Sequence, residues 1–344
     1  MVRPNEAIDG HWPALASAFA EQRILVVGDL MVDRTVTGQA RRLSPEAPVP
    51  VLSAEDERYS LGGAANVAHN LASLGAQVRL AGVVGPDDEG WRFLDLCRAA
   101  SIETSAVLVC EGRSTTVKTR FVAHAQQVLR VDSETAAPLA PAEERDLVAR
   151  LAGERVNAVI VSDYAKGVVT GGVIAGAIEL ARRREAPCVV DPKGARFARY
   201  AGCTVITPNA DEAEAASGLP ARTDAESEVA ARTLLEAVGC EAVVITRGGL
   251  GVSLVTPQEA WHLPAQARDV FDVAGAGDTL VAAFTLALAA GAALPAAVAL
   301  ANAAAGLVVQ ARGVAVVTPE ELGPALAAYE HGGSRALAGQ WETR

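Results

Sequence analysis

The sequence predicts an α/β chain: a doubly wound, mainly parallel sheet with helices on both faces, plus a small β-sheet lid. Three observations predict it. From Pro141 onward, short β-branched runs alternate with helical patterns in the βαβ manner. Polar clusters follow successive runs, which gathers them on one rim of a parallel sheet. Residues 115–122 (TTVKTRFV) and 127–131 (QVLRV) alternate polar and apolar instead, as exposed strands do.

Taken in order, residues 23–28 (RILVVG) form a buried parallel strand, with Asp29 and Asp33 just beyond its carboxyl end. No G-x-G-x-x-G follows, which argues against a dinucleotide fold. Residues 41–52 (RRLSPEAPVPVL) carry three prolines and predict an edge strand or lid segment. Gly62-Gly63-Ala64-Ala65-Asn66 opens a helical pattern that runs to Leu74 and closes at Gly75. A strand over 77–84 and an amphipathic helix over 88–100 come next. Strands over 156–162, 188–190 and 204–206 end in Asp163-Tyr164-Ala165-Lys166-Gly167, Asp191-Pro192-Lys193-Gly194 and Thr207-Pro208-Asn209-Ala210-Asp211-Glu212. A strand over 241–246 leads to the glycine-rich turn 247–251. The division expected is an extension over 1–20, one domain over 21–330 with lid segments at 38–55 and 112–132, and a flexible tail over 331–344.

Half of the 344 residues are hydrophobic, which is ample for a core without staples. The net charge of −11, with no basic block, argues against a nucleic-acid or anionic-membrane partner. The five cysteines show no C-x-x-C spacing, and the five histidines form no ligand pair. With no apolar leader over 1–20, this points to a reducing, cytoplasmic setting. Residues 279–311 hold no charge, but Ala predominates and Gly291 with Pro295 splits them, so two buried helices are expected rather than a membrane span.

The chain turns on residues 271–280 (FDVAGAGDTL), where Gly275, Ala276 and Gly277 precede Asp278 and a long Ala- and Leu-rich helix. Such glycines permit φ > 0 or a close approach of backbone to ligand. A helix N-terminus offers unpaired N–H groups and partial positive charge, an anion site that also lowers the pKa of a neighbouring carboxylate. A carboxylate beside an anion hole suits removal of a hydroxyl proton during phosphoryl transfer. The plainer role for Asp278 is a helix cap. An acidic chain that binds phosphates needs local cations, and Arg41, Arg42, Lys118, Arg120 and Arg130, with Lys166 and Lys193 on the sheet rim, are the candidates; a solvated lid face is the alternative for Lys118, Arg120 and Arg130.

The stretch resembles the C-terminal signature D-T-x-G-A-G-D of the ribokinase-like (PfkB-type) sugar kinases. Asp272, Gly275, Ala276, Gly277 and Asp278 fall in register, while Val273 and Ala274 depart from it. The resemblance implies Asp278 as catalytic base and the 275–278 backbone as anion hole. GGAANVAHNLASLG resembles the family's G-G-x-x-x-N sugar signature, which implies that Gly62, Gly63 and Asn66 or Asn70 meet the sugar, with Asp33 on its hydroxyls. Asn209 and Glu212 match the N-x-x-E element associated with Mg²⁺-bound phosphates, Glu212 acting through water; helix capping is compatible with that role. Thr246, Gly248, Gly251 and Asn302 are implied beside the nucleotide, so ATP and Mg²⁺ are the expected cofactors.

Within the family, RLSPEAPVPV, SDYAKG, DPKG, TPN and ANAAAG resemble the bacterial D-glycero-β-D-manno-heptose-7-phosphate kinases. That resemblance implies transfer of the ATP γ-phosphate to the anomeric hydroxyl, in lipopolysaccharide-core precursor synthesis. Some of those proteins carry a fused nucleotidyltransferase domain with an H-x-G-H motif. None occurs here, so a stand-alone kinase is expected. The rival readings are a kinase for another sugar phosphate and a non-catalytic sugar or nucleotide sensor. The exposed lid edges make a homodimer through the lid the expected assembly.

Overall fold

The computed structural model describes residues 12–336 apart from 125, 267–269, 312 and 314, with side chains to residue 327. The amino-terminal part holds α1 (Trp12–Phe19), β1 (Arg23–Gly28), β2 (Leu30–Leu43), β3 (Pro50–Gly63), α2 (Ala64–Ser73), β4 (Gln77–Val84), α3 (Asp88–Ala99), β5 (Glu103–Val109), β6 (Thr116–Ala123) and β7 (Gln126–Ser133). Then come α4 (Pro141–Ala152), β8 (Ala158–Ser162), α5 (Gly171–Arg183), β9 (Cys188–Asp191), β10 (Val205–Ile206), α6 (Ala210–Ser217), α7 (Asp224–Val238) and β11 (Ala242–Thr246). The chain closes with β12 (Val252–Val255), β13 (Ala260–Leu263), α8 (Ala276–Ala289), α9 (Leu294–Val308) and α10 (Pro319–Ala336).

A nine-stranded sheet runs in the order β13-β12-β11-β10-β9-β8-β1-β4-β5. Its strands are parallel except where β12 pairs with β11 and β13. Period-two alternation makes both faces apolar. Ile24 and Val26 of β1 join the core with α2, α8 and α9, whereas Leu25 and Val27 join the core on the opposite face with α4, α5 and α7. The ribokinase-like expectation of a mainly parallel sheet between helices, with a separate lid sheet, is met.

The lid has the order β3-β2-β6-β7 and starts earlier than the expected 38–55 and 112–132 segments, because β2 leaves the main sheet at Leu30. Asp33 therefore lies within a lid strand and not in a loop. Residues 41–52 do not form one strand. Pro45 and Pro48 fall between β2 and β3, where no ladder N–H is required, and Pro50 begins β3. Trp12–Phe19, expected in an extension, is a helix that packs on α8 and α10, with Phe19 buried. α10 continues to residue 336; the rest of the expected tail, like residues 1–11, lies outside the described residues. Among the described residues no helix is long and apolar enough to cross a membrane.

Chain order reverses between β1 and β8, the point where open α/β sheets place ligands. Packing is tight there. A Cβ on Gly28 would lie 2.1 Å from the Ser162 carbonyl oxygen and 2.9 Å from the Ala64 Cβ, so only glycine ends β1. The next residue, Asp29, is fully buried. Its Oδ2 accepts from the backbone N–H of Tyr164 (2.8 Å) and Lys166 (3.0 Å), and its Oδ1 from Val168 (3.0 Å). Burial raises its pKa above the ordinary carboxylate value, and the three amides oppose that shift. Replacing Asp29 by Ala leaves three amide donors without their acceptor. The expected loss is about 1–3 kcal/mol or more in urea unfolding; an unchanged midpoint would mean that the 164–168 loop is held by something else.

Candidate active site

Gly275 ends the turn before α8 in the left-handed region, with φ of 82°. The turn is anchored on α9, since the N–H groups of Phe271 and Asp272 donate to the Val309 carbonyl at 2.8 and 3.3 Å. Asp272 Oδ1 accepts from the Ala274 N–H at 2.9 Å, so the departure at Ala274 leaves the turn closed. Gly275, and not Gly277, carries the positive φ. A Cβ on Gly277 would meet nothing within 4 Å, so open space lies beside it. Among the described residues no backbone acceptor answers the N–H groups of Gly277 and Asp278. These are the donors expected to face an anion.

Asp278 does not cap its helix. Asn66 Nδ2 donates to its Oδ2 at 2.6 Å, and the Tyr164 phenol donates to its Oδ1. The expected lowering of its pKa by the helix is not what the surroundings produce. Burial raises it, overriding the hydrogen bonds from Tyr164 and Asn66; Asp33 adds to the rise and Lys118 opposes it. The result is a better base than an ordinary aspartate.

Gly62 and Gly63 end β3, and α2 begins at Ala64. Gly62 lies against Asp33, where a Cβ would sit 2.5 Å from Oδ2. Asn66 faces Asp278, and its own Oδ1 is buried with no hydrogen-bond partner among the described residues. Asn70 is one layer back. Its Nδ2 donates to the Asn66 carbonyl at 2.9 Å, and its Oδ1 accepts from the Thr279 hydroxyl at 2.8 Å. The two asparagines thus divide the roles, Asn66 at the site and Asn70 behind it.

The lid register puts Ser60, Asp33, Lys118 and Asp132 in one row, with Arg58, Thr35, Arg120 and Arg130 in the next row on the same face. Arg120 pairs with Asp33, and Arg130 with Asp132 at 2.9 Å. Lys118 has no carboxylate at ion-pair distance among the described residues; its Nζ is 5.4 Å from the Tyr164 ring centroid, and burial lowers its pKa. Lys166 Nζ meets Glu134 at 2.6 Å, and Lys193 Nζ meets Glu212 at 2.6 Å. Arg41 and Arg42 are exposed near the outer end of β2. At about 3.3 Å per residue, Arg41 lies roughly 25 Å along the strand from Asp33, so it does not join this cluster.

On the other side of Asp278, Asn209 caps α6. Its Oδ1 accepts from the Glu212 N–H at 2.9 Å, and Glu212 Oε2 accepts from the Asn209 N–H at 3.0 Å. Both Glu212 oxygens are therefore engaged, and among the described residues no cluster of three or more His, Cys, Asp or Glu could hold a metal. Asp191 couples to both Asp278 and Glu212, and burial pushes its pKa well up. Thr246 pairs with Asn209 at the end of β11. Gly248 and Gly251 turn the chain with φ of 56° and 94°. Asn302 Nδ2 donates to the Pro264 carbonyl at 2.8 Å, tying α9 to the loop after β13. Tyr164 is the site residue that sequence reasoning passed over.

Residues 21–321 match the model of the pfkB family carbohydrate kinases. The bifunctional protein HldE of Mesorhizobium japonicum is 47% identical over 312 residues, and that of Caulobacter vibrioides 48% over 314, each match covering 90% of this chain. The chain spans 62% and 64% of the length of these two relatives. Among solved structures, Arabidopsis thaliana ribokinase complexed with ribose and ATP superposes with a TM-score of 0.71 at 20% identity, covering 89% of this chain and 98% of that one. Escherichia coli phosphofructokinase-2 in complex with substrates and products gives 0.74 at 20%, covering 89% and 98%. The chain belongs to the pfkB family of carbohydrate kinases.

Proposed function

We propose that this chain transfers the γ-phosphoryl group of ATP to the anomeric hydroxyl of D-glycero-β-D-manno-heptose 7-phosphate, giving the 1,7-bisphosphate in the cytoplasm for lipopolysaccharide-core precursor synthesis. The observation that carries the reading is the Asp278 carboxylate, half-buried beside unanswered helix N–H groups. The sugar hydroxyl oxygen attacks the γ-phosphorus in line as the bond to the β–γ bridging oxygen breaks, and Asp278 takes the hydroxyl proton. The backbone N–H groups at 277–278 face the transferred group. Asn66, with an unmet buried Oδ1, accepts a hydrogen bond from a sugar hydroxyl, and Asp33 offers its carboxylate beside Gly62. ATP lies toward Thr246, Gly248, Gly251 and Asn302.

Mg²⁺ bound to the phosphates would neutralise part of their charge, and a single carboxylate reached through water fits its preference for retained waters. Glu212, with Asn209 beside it, would be that carboxylate, its engaged oxygens reached through a further lone pair by a metal-bound water. The choice of a phosphorylated heptose rests on the sequence elements SDYAKG and DPKG, which supply Lys166 and Lys193, and on the unpaired Lys118. We also assign the lid to a homodimer. β7 is an edge strand exposed along its whole length, with Val128, Leu129 and Val131 open to solvent.

Three expected outcomes test this. Asp278→Asn lowers kcat by about 10²-fold or more in a coupled ADP-release assay, while ATP binding stays near wild type. The fold tolerates it, because Asn66 can turn its amide and present the orphaned Oδ1 to the new donor; wild-type turnover would end the base assignment. Lys118→Ala lowers kcat/KM for the sugar phosphate roughly ten- to a hundredfold, with a smaller loss on the unphosphorylated sugar. Equal losses would assign Lys118 to lid folding instead. Leu129→Glu converts the dimer to monomer in analytical ultracentrifugation, and a monomeric wild type would remove the lid interface.

A further inference from the structure

Tyr164 lies in the loop after β8, and its phenol is one of the two donors on Asp278. An aspartate's terminal torsion is broad and nearly two-fold, so one donor leaves the carboxylate free to turn about its bond. Here each oxygen has its own donor from a different element, Asn66 from α2 and Tyr164 from the 163–168 loop. Each oxygen keeps a further lone pair for an incoming hydroxyl.

The phenol is itself held in place. Its backbone N–H is fixed on Asp29 at 2.8 Å, and Lys118 sits 5.4 Å from its ring centroid. Burial and the neighbouring Asp278 push the phenol pKa well above the ordinary value, so it stays a donor across the working pH range.

We propose that Tyr164 is a positioning residue for phosphoryl transfer, its O–H aiming the Asp278 carboxylate at the acceptor hydroxyl. This rests on Asp278 being the base. A hydrogen bond donated to the ionised form also favours that form, so Tyr164 holds Asp278 deprotonated to lower pH than burial alone would allow.

Tyr164→Phe keeps the ring beneath Lys118 and deletes one oxygen. We expect kcat to fall about tenfold or more with the KM for ATP and sugar little changed, and the acid limb of the kcat/KM profile to move to higher pH. The carboxyl resonance of Asp278, followed by NMR against pH without substrates, should titrate at higher pH in the variant. An unmoved carboxyl titration and acid limb would overturn the proposal, and so would a loss confined to KM. A purely structural role would lower the unfolding midpoint and leave the titration where it was. The titration reads the contact whether or not Asp278 is the base; failure of the base assignment shows separately, as an active Asp278→Asn.

Discussion

A single buried carboxylate fixes the relation between the sheet and the site. Asp29 stands where chain order reverses, and in that position burial opposes its charge. The charge is tolerated because three consecutive-region amides converge on it, and those amides belong to the loop that carries Tyr164 and Lys166. The main sheet thereby dictates where a phenol and an ammonium stand relative to α8, which comes from the far end of the chain. Asp163 extends the same arrangement. Its Oδ2 accepts from the Tyr200 phenol at 2.7 Å, and its Oδ1 accepts from the Ala165 N–H at 2.8 Å. Loop residues that would otherwise follow solvent become part of the scaffold.

The buried parts of the fold were legible because burial writes a simple pattern. RILVVG at β1 and AVIVS at β8 are apolar on both faces, as central parallel strands must be. The lid was legible only where alternation is clean. β2 reads LMVDRTVTGQARRL, and its polar residues fall on both faces because one face meets the site and the other meets solvent and α3. There Arg92 stacks on Tyr59 at 3.9 Å, a contact that no local pattern announces. β5, β12 and β13 were passed over for a related reason. Four or seven residues, with Glu103 in β5, Ser253 in β12 and His262 in β13 among them, carry too little periodicity, and pairing with a neighbour makes them strands.

The site divides in the same way. Asp278, its glycines and Asn66 were visible because they lie within short motifs whose spacing reflects one helix turn. Tyr164 was not, since its partner is 114 residues away and only the completed fold brings them together. The direction of the Asp278 pKa was also beyond the sequence. A helix N-terminus acts within the first turn and lowers a carboxylate pKa. Burial depends on what else packs there: here α2 and the 163–168 loop meet the carboxylate oxygens, and Asp33 and Lys118 of the lid act on them through charge. The larger effect is the one the sequence does not write down.

The cations complete the picture. An acidic chain keeps most of its site cations neutralised: Arg120 by Asp33, Lys166 by Glu134, Lys193 by Glu212. Partly exposed pairs of this kind contribute little to stability. A phosphate can therefore exchange for the carboxylate at small cost, since one charge-assisted partner replaces another. Lys118 differs, being desolvated, without a carboxylate in contact among the described residues, and resting on the ring whose hydroxyl touches Asp278. It is also one of the charges that lower the Asp278 pKa. An anion taken up by Lys118 would cancel that influence and make Asp278 more basic. In the proposed reading, the distal phosphate would strengthen the base through the same side chain that binds it.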